Sequence, residues 1–295
     1  MKKEKKMKRY IAPNECSAGR WIAVLIVGLL AGVALSIPLS PFAQNKVDTF
    51  MGIPFSELFG ILSFVPFFCT MVFAIKFLGK TSLKDFVLGV GGVINKKECL
   101  TVLGLYAAGL VISFLPVLNN IYLRDVKAGQ FGFLVLFMLL VAWTQTTWEE
   151  LIFRGIVIRW ACKNNVCYTK KAVIAGVVSS AAFALSHAFN PEVTSQSGIH
   201  VVMAVAAYAI PGIVCYLADL HFGSLLPGIL IHWLNNFVLF TLISSETTAL
   251  PVPTLLVDGT PHCAEWMLIS TAVAYLPVLA YVVLDVRKKR KAEPV

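Results

Sequence analysis

Three short stretches of this 295-residue chain place ionisable and amide side chains inside long apolar runs. Trp-Glu-Glu-Leu-Ile-Phe-Arg-Gly occupies 148–155, Phe-Ala-Leu-Ser-His-Ala-Phe-Asn occupies 183–190, and Ile-His-Trp-Leu-Asn-Asn-Phe occupies 231–237. Charged groups are costly in hydrocarbon, so residues of this kind mark function or pair with one another. Glu150 and Arg154 are four apart, share a helical face and can pair, which lowers the cost of both. Glu149 is turned about 100° from Glu150 on a helix of 3.6 residues per turn, so it has no cation of its own. A carboxylate so placed suits a general base acting on water. The two glutamates and Arg154 can equally form one structural polar knot between helices, and these residues alone leave both readings open.

Phe183 and His187 are also four apart, as are His232 and Asn236. A single buried histidine is more often a hydrogen-bonded packing residue than a catalyst. The His232/Asn236 pair can glue helices together, or it can present two side-chain donors to a developing oxyanion. A carboxylate, two imidazoles and an amide on three different helices exceed what helix glue requires. The combination shifts the balance from helix glue toward a site that carries chemistry.

The elements that must position these groups follow from composition. The chain is 58% hydrophobic and 14% charged, whereas a soluble domain carries roughly 25% charged residues. Its apolar residues come in blocks at 21–38, 55–79, 98–118, 131–159, 171–189, 200–218, 224–244 and 264–285. Each approximates the roughly 20 residues a membrane helix needs. The blocks lack the alternation of barrel strands, so helices must satisfy the backbone in lipid. The fold class expected is all-α, a polytopic transmembrane bundle of about eight spans. The least certain boundary is the turn at Asp219 to Gly223, where Gly and Pro can break helices.

The net charge of +9 is concentrated beside the spans. Lys2, Lys3, Lys5, Lys6, Lys8, Arg9 and Arg20 precede the first block, and Arg287 to Lys291 follow the last. Such clusters mark cytoplasmic ends and contact lipid headgroups, and no basic face interleaved with aromatics suggests nucleic acid. Threaded from a cytoplasmic N-terminus, loops 80–97 and 160–170 hold Lys80, Lys84, Lys96, Lys97, Lys163 and Lys170. The outward loops 39–54, 119–130, 190–199 and 245–263 hold only Lys46, Arg124 and Lys127 of the 25 basic residues. Both termini are therefore expected in the cytoplasm of a plasma-membrane protein, with the first block a retained signal anchor. The seven cysteines are scattered without a C-x-x-C pair and receive no role.

Glu-Glu-x-x-x-Arg (149–154), Phe-x-x-x-His (183–187) and His-x-x-x-Asn (232–236), in that order, resemble the CAAX protease and bacteriocin-processing (Abi) family. That family includes type II CAAX prenyl endopeptidases and lysostaphin-resistance-like proteins. Gly223-Ser224-Leu225-Leu226-Pro227 ahead of the third motif adds to the likeness, which covers roughly 130–245. On this basis the chain divides into N-terminal helices at 1–130, a protease core at 131–245, and a last helix with a basic tail at 246–295. The resemblance implies an intramembrane endopeptidase acting on a membrane-associated protein or peptide. In it Glu149 deprotonates water, His187 orients that water, and His232 with Asn236 stabilises the oxyanion. Glu150, Arg154 and Phe183 take supporting places. No cofactor is favoured, but His187, His232 and Glu149 could form a His₂Glu zinc site, as in metalloendopeptidases. Rival expectations are a non-catalytic bacteriocin self-immunity or scaffolding protein, and then a transporter.

One geometric difficulty stands. At about 1.5 Å per residue, His187 lies about 10 Å deeper than Glu149 and His232. The fifth helix is therefore expected to begin below the bilayer, with 190–199 dipping into the protein.

Overall fold

Every apolar block is a helix in the computed structural model, which describes residues 17–89, 92, 94–161, 170–245, 248, 251–260 and 263–292. The helices are α1 (Ala18–Ser36), α2 (Phe64–Phe77), α3 (Lys96–Phe114), α4 (Ala128–Glu150), α5 (Lys170–Ser186), α6 (Ile199–Phe222), α7 (Leu226–Thr241) and α8 (Ala264–Ala292). A short helix, Phe55–Leu62, leads into α2. Lys2, Lys3, Lys5, Lys6, Lys8, Arg9, Cys16, Cys162, Lys163, Cys167 and His262 lie outside the described residues.

Six helical runs are long and apolar enough to cross a bilayer: Ala18–Ala43, Phe55–Phe77, Lys96–Asn120, Ala128–Ala161, Ile199–Phe222 and Ala264–Lys288. The fifth and seventh blocks form shorter helices, α5 with 17 residues and α7 with 16. At about 1.5 Å per residue they reach about 24–26 Å, less than the roughly 30 Å hydrocarbon core. Irregular backbone at such depth is tolerated only inside protein or along a cavity. The chain after α5 obeys this rule. His187 to Asn190 turn back, the short helix Pro191–Thr194 follows, and Glu192 and Val193 are buried. Glu192 and Val193 thus turn inward, while Pro191, Thr194, Ser195 and Ser197 to Ile199 of the same segment stay exposed.

Residues facing lipid and residues facing neighbours separate cleanly. On α1, Ile22, Ile26, Leu30 and Val33 are exposed, while Gly28 and Gly32 are buried. A Cβ on Gly32 would stand 2.3 Å from the Phe67 ring of α2, so only glycine permits this approach. Thr70 of α2 donates to the Gly28 carbonyl at 2.9 Å. One apolar core joins Val24, Met71, Ile75, Leu151, Ile158, Ala175 and Leu220, and another joins Val102, Tyr106, Val214, Ile231, Tyr275 and Val278. The turn between α6 and α7 is made by Gly223, whose φ of +65° is left-handed and whose N–H caps the Asp219 carbonyl.

α4 carries the Glu-Glu-Arg motif. It widens into a π-helical turn over Leu151–Ile156 before closing as Val157–Ala161. Widening displaces carbonyls from the regular ladder, and Ser179 of α5 donates to the Phe153 carbonyl there. At the end of the bundle that holds the α3–α4 connection, three short strands form a sheet. Leu256–Asp258 pairs antiparallel with Ile121–Leu123 and parallel with Ile243–Ser245.

Candidate active site

Glu150 and Arg154, four apart across the π turn, are an ion pair at 3.1 Å, 0% and 1% exposed. The pairing read from their spacing is present, and a second partner joins it. His232 of α7 places Nδ1 2.8 Å from the same Glu150 Oε1. Its other nitrogen, Nε2, lies 3.6 Å from Glu149 Oε2. The two glutamates are thus separated by one imidazole, with Arg154 behind Glu150. Glu149 Oε1 accepts a hydrogen bond from Gln145 at 3.2 Å, one turn back on α4. These contacts hold Glu149 without a lysine or arginine beside it in the motif.

Asn236 follows His232 by one turn. Its Oδ1 accepts from Asn235 Nδ2 at 3.0 Å, and Asn235 Oδ1 accepts from the Tyr106 hydroxyl at 2.6 Å. This chain from α3 turns the Asn236 amide so that its NH₂ group is the end left for the cavity.

His187 lies in the turn after α5. Its Nδ1 is 2.8 Å from the Phe183 carbonyl and 3.2 Å from Ser186 Oγ. A carbonyl can only accept, so Nδ1 carries the proton and Nε2 is left as the acceptor nitrogen. The imidazole is held between two rings, Phe183 at 4.6 Å and Tyr208 of α6 stacked at 4.4 Å. Phe183 also meets His232 edge-on at 5.6 Å and takes the Arg154 guanidinium over its face at 4.3 Å. The phenylalanine is the hub on which both histidines and the arginine pack, and it separates His187 from His232. Tyr208 in turn donates to Glu192, and Asn190 donates to both Tyr208 Oη at 3.0 Å and Glu192 Oε1 at 3.2 Å.

One cavity of about 700 Å³ collects these groups: Glu149, Phe183, His187, His232 and Asn236 line it, and Glu150 and Arg154 stand behind its wall. It runs from the motif residues toward the sheet end of the bundle, where Ser244, Ser245 and Asp258 also line it. Gln145, Tyr208, Asn190, Glu192 and Asn235 belong to the same cavity and were not singled out by the motifs. Gln145 was within reach of sequence reasoning, because it precedes Glu149 by one helical turn. Tyr208 and Tyr106 were not, because only the packing of α6 and α3 brings them to the site.

His187, His232 and Glu149 are the residues that would have to hold a metal ion. Among the described residues, no three His, Cys, Asp or Glu side chains are disposed to hold a metal ion. Phe183 packs against both imidazoles, and His187, His232 and Glu149 are not drawn together as a three-ligand set.

Chemically the arrangement offers a carboxylate, two imidazoles and an amide around one cavity. Residues 131–238, which contain every candidate residue, match the family described as type II CAAX prenyl endopeptidase Rce1-like. No curated protein matches the chain.

Proposed function

Over residues 131–238 the chain belongs to the Rce1-like family of type II CAAX prenyl endopeptidases, and from that premise we propose that Glu149 activates a water for peptide-bond hydrolysis inside the membrane. The observation that supports this reading most is the convergence of Glu149, His187, His232 and Asn236 on one cavity. A water between Glu149 and His187 gives its proton to the Glu149 carboxylate, while His187 Nε2 accepts the second O–H and orients it. The oxygen attacks the carbonyl carbon, and the carbonyl π electrons move onto oxygen. That oxyanion accepts hydrogen bonds from the Asn236 amide and from His232.

His232 takes part through Nε2, the ring nitrogen that faces Glu149, while its Nδ1 faces Glu150. Collapse of the intermediate re-forms the carbonyl and breaks the C–N bond, and Glu149 returns its proton to the departing amine. Glu150 and Arg154 touch no reacting atom in this scheme; they position His232. The substrate class is a membrane-associated protein or peptide.

The test is cleavage of a library of peptides and membrane proteins by the purified chain, beside Glu149→Ala. Products formed by the wild type and absent with the variant are expected. Identical product patterns would refute the assignment of Glu149.

A further inference from the structure

The hydrogen bonds that end at Asn236 begin outside residues 131–238, on Tyr106 of α3. Tyr106 is 0% exposed and stands behind the cavity wall to which Asn235, Asn236 and Tyr275 belong. Its ring packs on that of Tyr275 of α8 at 4.8 Å, which fixes where the hydroxyl points. Side chains adjacent in sequence diverge by about 100° on a helix and do not ordinarily face one another. Asn235 and Asn236 nonetheless bond at 3.0 Å, with the Asn235 amide held at its other end by the Tyr106 hydroxyl at 2.6 Å.

The sense of each bond follows from the groups. A phenolic hydroxyl has one proton, and burying it without an acceptor is costly, so the proton stays on Asn235 Oδ1. The Asn235 amide then has only its NH₂ end for Asn236, which accepts through Oδ1 and keeps its own NH₂ for the cavity. Without the Tyr106 proton both amides can turn over with almost no change of shape. Asn236 would then present its carbonyl oxygen, an acceptor, where the oxyanion needs a donor. We propose that Tyr106 is a positioning residue whose hydroxyl, acting through Asn235, keeps Asn236 a donor toward the cavity. The consequence for turnover rests on the endopeptidase reading; the orientation of the amide does not.

Two measurements on the full-length protein in detergent test this. In the first, asparagine side-chain amides are isotope-labelled and followed by NMR, with the Asn235 and Asn236 signals assigned from Asn235→Ala and Asn236→Ala. Tyr106→Phe keeps the ring against Tyr275 and removes only the hydroxyl. It should shift the signals of both amides, including Asn236, which the hydroxyl reaches only through Asn235, and leave that of Asn190 in place. In the second, Tyr106→Phe should lower kcat about tenfold with KM within about twofold of wild type, the size expected for one hydrogen bond that acts only in the transition state. Added to Asn236→Ala it should lower kcat no further, because its route to the reaction has gone. Asn235→Ala should reproduce the kcat loss, and it supplies the same cycle if Tyr106→Phe does not fold.

An Asn236 signal that stays in place in Tyr106→Phe would overturn the proposal. For a chain that cleaves, so would an unchanged kcat, a change confined to KM, or losses that multiply in the double variant. If both amide signals respond and the wild type cleaves no peptide, the positioning stands and the endopeptidase reading alone is refuted.

Discussion

The two adjacent glutamates have different work because their neighbours differ. Glu150 faces Arg154 at 3.1 Å and His232 at 2.8 Å, whereas Glu149 faces Gln145 and the cavity. Glu149→Gln should abolish turnover while the protein stays folded, since the amide can still meet Gln145; rate and melting temperature measured together check this. Glu150→Gln should lower thermal stability, by about 3–5 kcal/mol, because it leaves a buried guanidinium without its carboxylate. Equal loss of folding in both variants would favour a purely structural polar knot. Asn236→Ala should reduce kcat by roughly 10²–10³ with little change in KM, the loss expected for one oxyanion donor. The metal question is also decided at this scale. Activity should survive exhaustive chelation, and the purified wild type should hold no stoichiometric zinc that His232→Ala lacks.

Among the elements, α5 and α7, the two that do not by themselves reach the length of a membrane span, position the site. α5 and α7 end inside the thickness of the bundle, which places His187 in a turn and leaves room for the inward segment with Glu192. The π turn in α4 is held from outside by Ser179, so the motif helix and α5 are tied just behind Glu149 and Glu150. The wall formed by α3 and α8 depends on one close approach. A Cβ at Gly109 would stand 2.2 Å from the Ala274 carbonyl oxygen, whereas nothing lies within 4 Å of one at Gly104. Gly109→Val should therefore destabilise by about 1–3 kcal/mol or more, with Gly104→Val close to neutral. Thermal unfolding of the two variants in one detergent checks the contrast. Because Ala274 and Tyr275 line the cavity, the Gly109 variant should also lose activity.

For the whole molecule, the cavity opens toward one end of the bundle and the basic residues gather at the other. Lys80 and Lys84 follow α2, and Lys96, Lys97 and Lys170 open α3 and α5, all at the helix ends farthest from the sheet. If both termini lie in the cytoplasm, as the positive-inside rule predicts, the sheet end of the bundle lies on the opposite face. Reporter fusions at Val295 and after Asn45 should report opposite sides of the membrane. Fusions on the same side would reverse the direction from which substrate arrives, or remove one crossing from the chain. Which crossings are complete depends on α5 and α7, whose lengths are marginal for a bilayer.

The helical membrane class and the Glu150–Arg154 pair were legible in the sequence because both rest on local spacing and composition. Charged residues inside apolar blocks had to be paired or functional, and the four-residue spacing of Glu150 and Arg154 dictated their contact. The eight blocks became helices close to their expected limits, since no other backbone form satisfies itself in lipid. Local spacing could not show that His232 lies between Glu149 and Glu150, because that depends on how α7 packs against α4. Nor could it show that Tyr208 stacks on His187, or that Tyr106 reaches through Asn235 to Asn236. The one-sided charge of the cavity is a tertiary property as well. Glu57, Glu192 and Asp258 lie far apart along the chain, and only the packing of the bundle turns them toward one volume, which no lysine or arginine lines among the described residues.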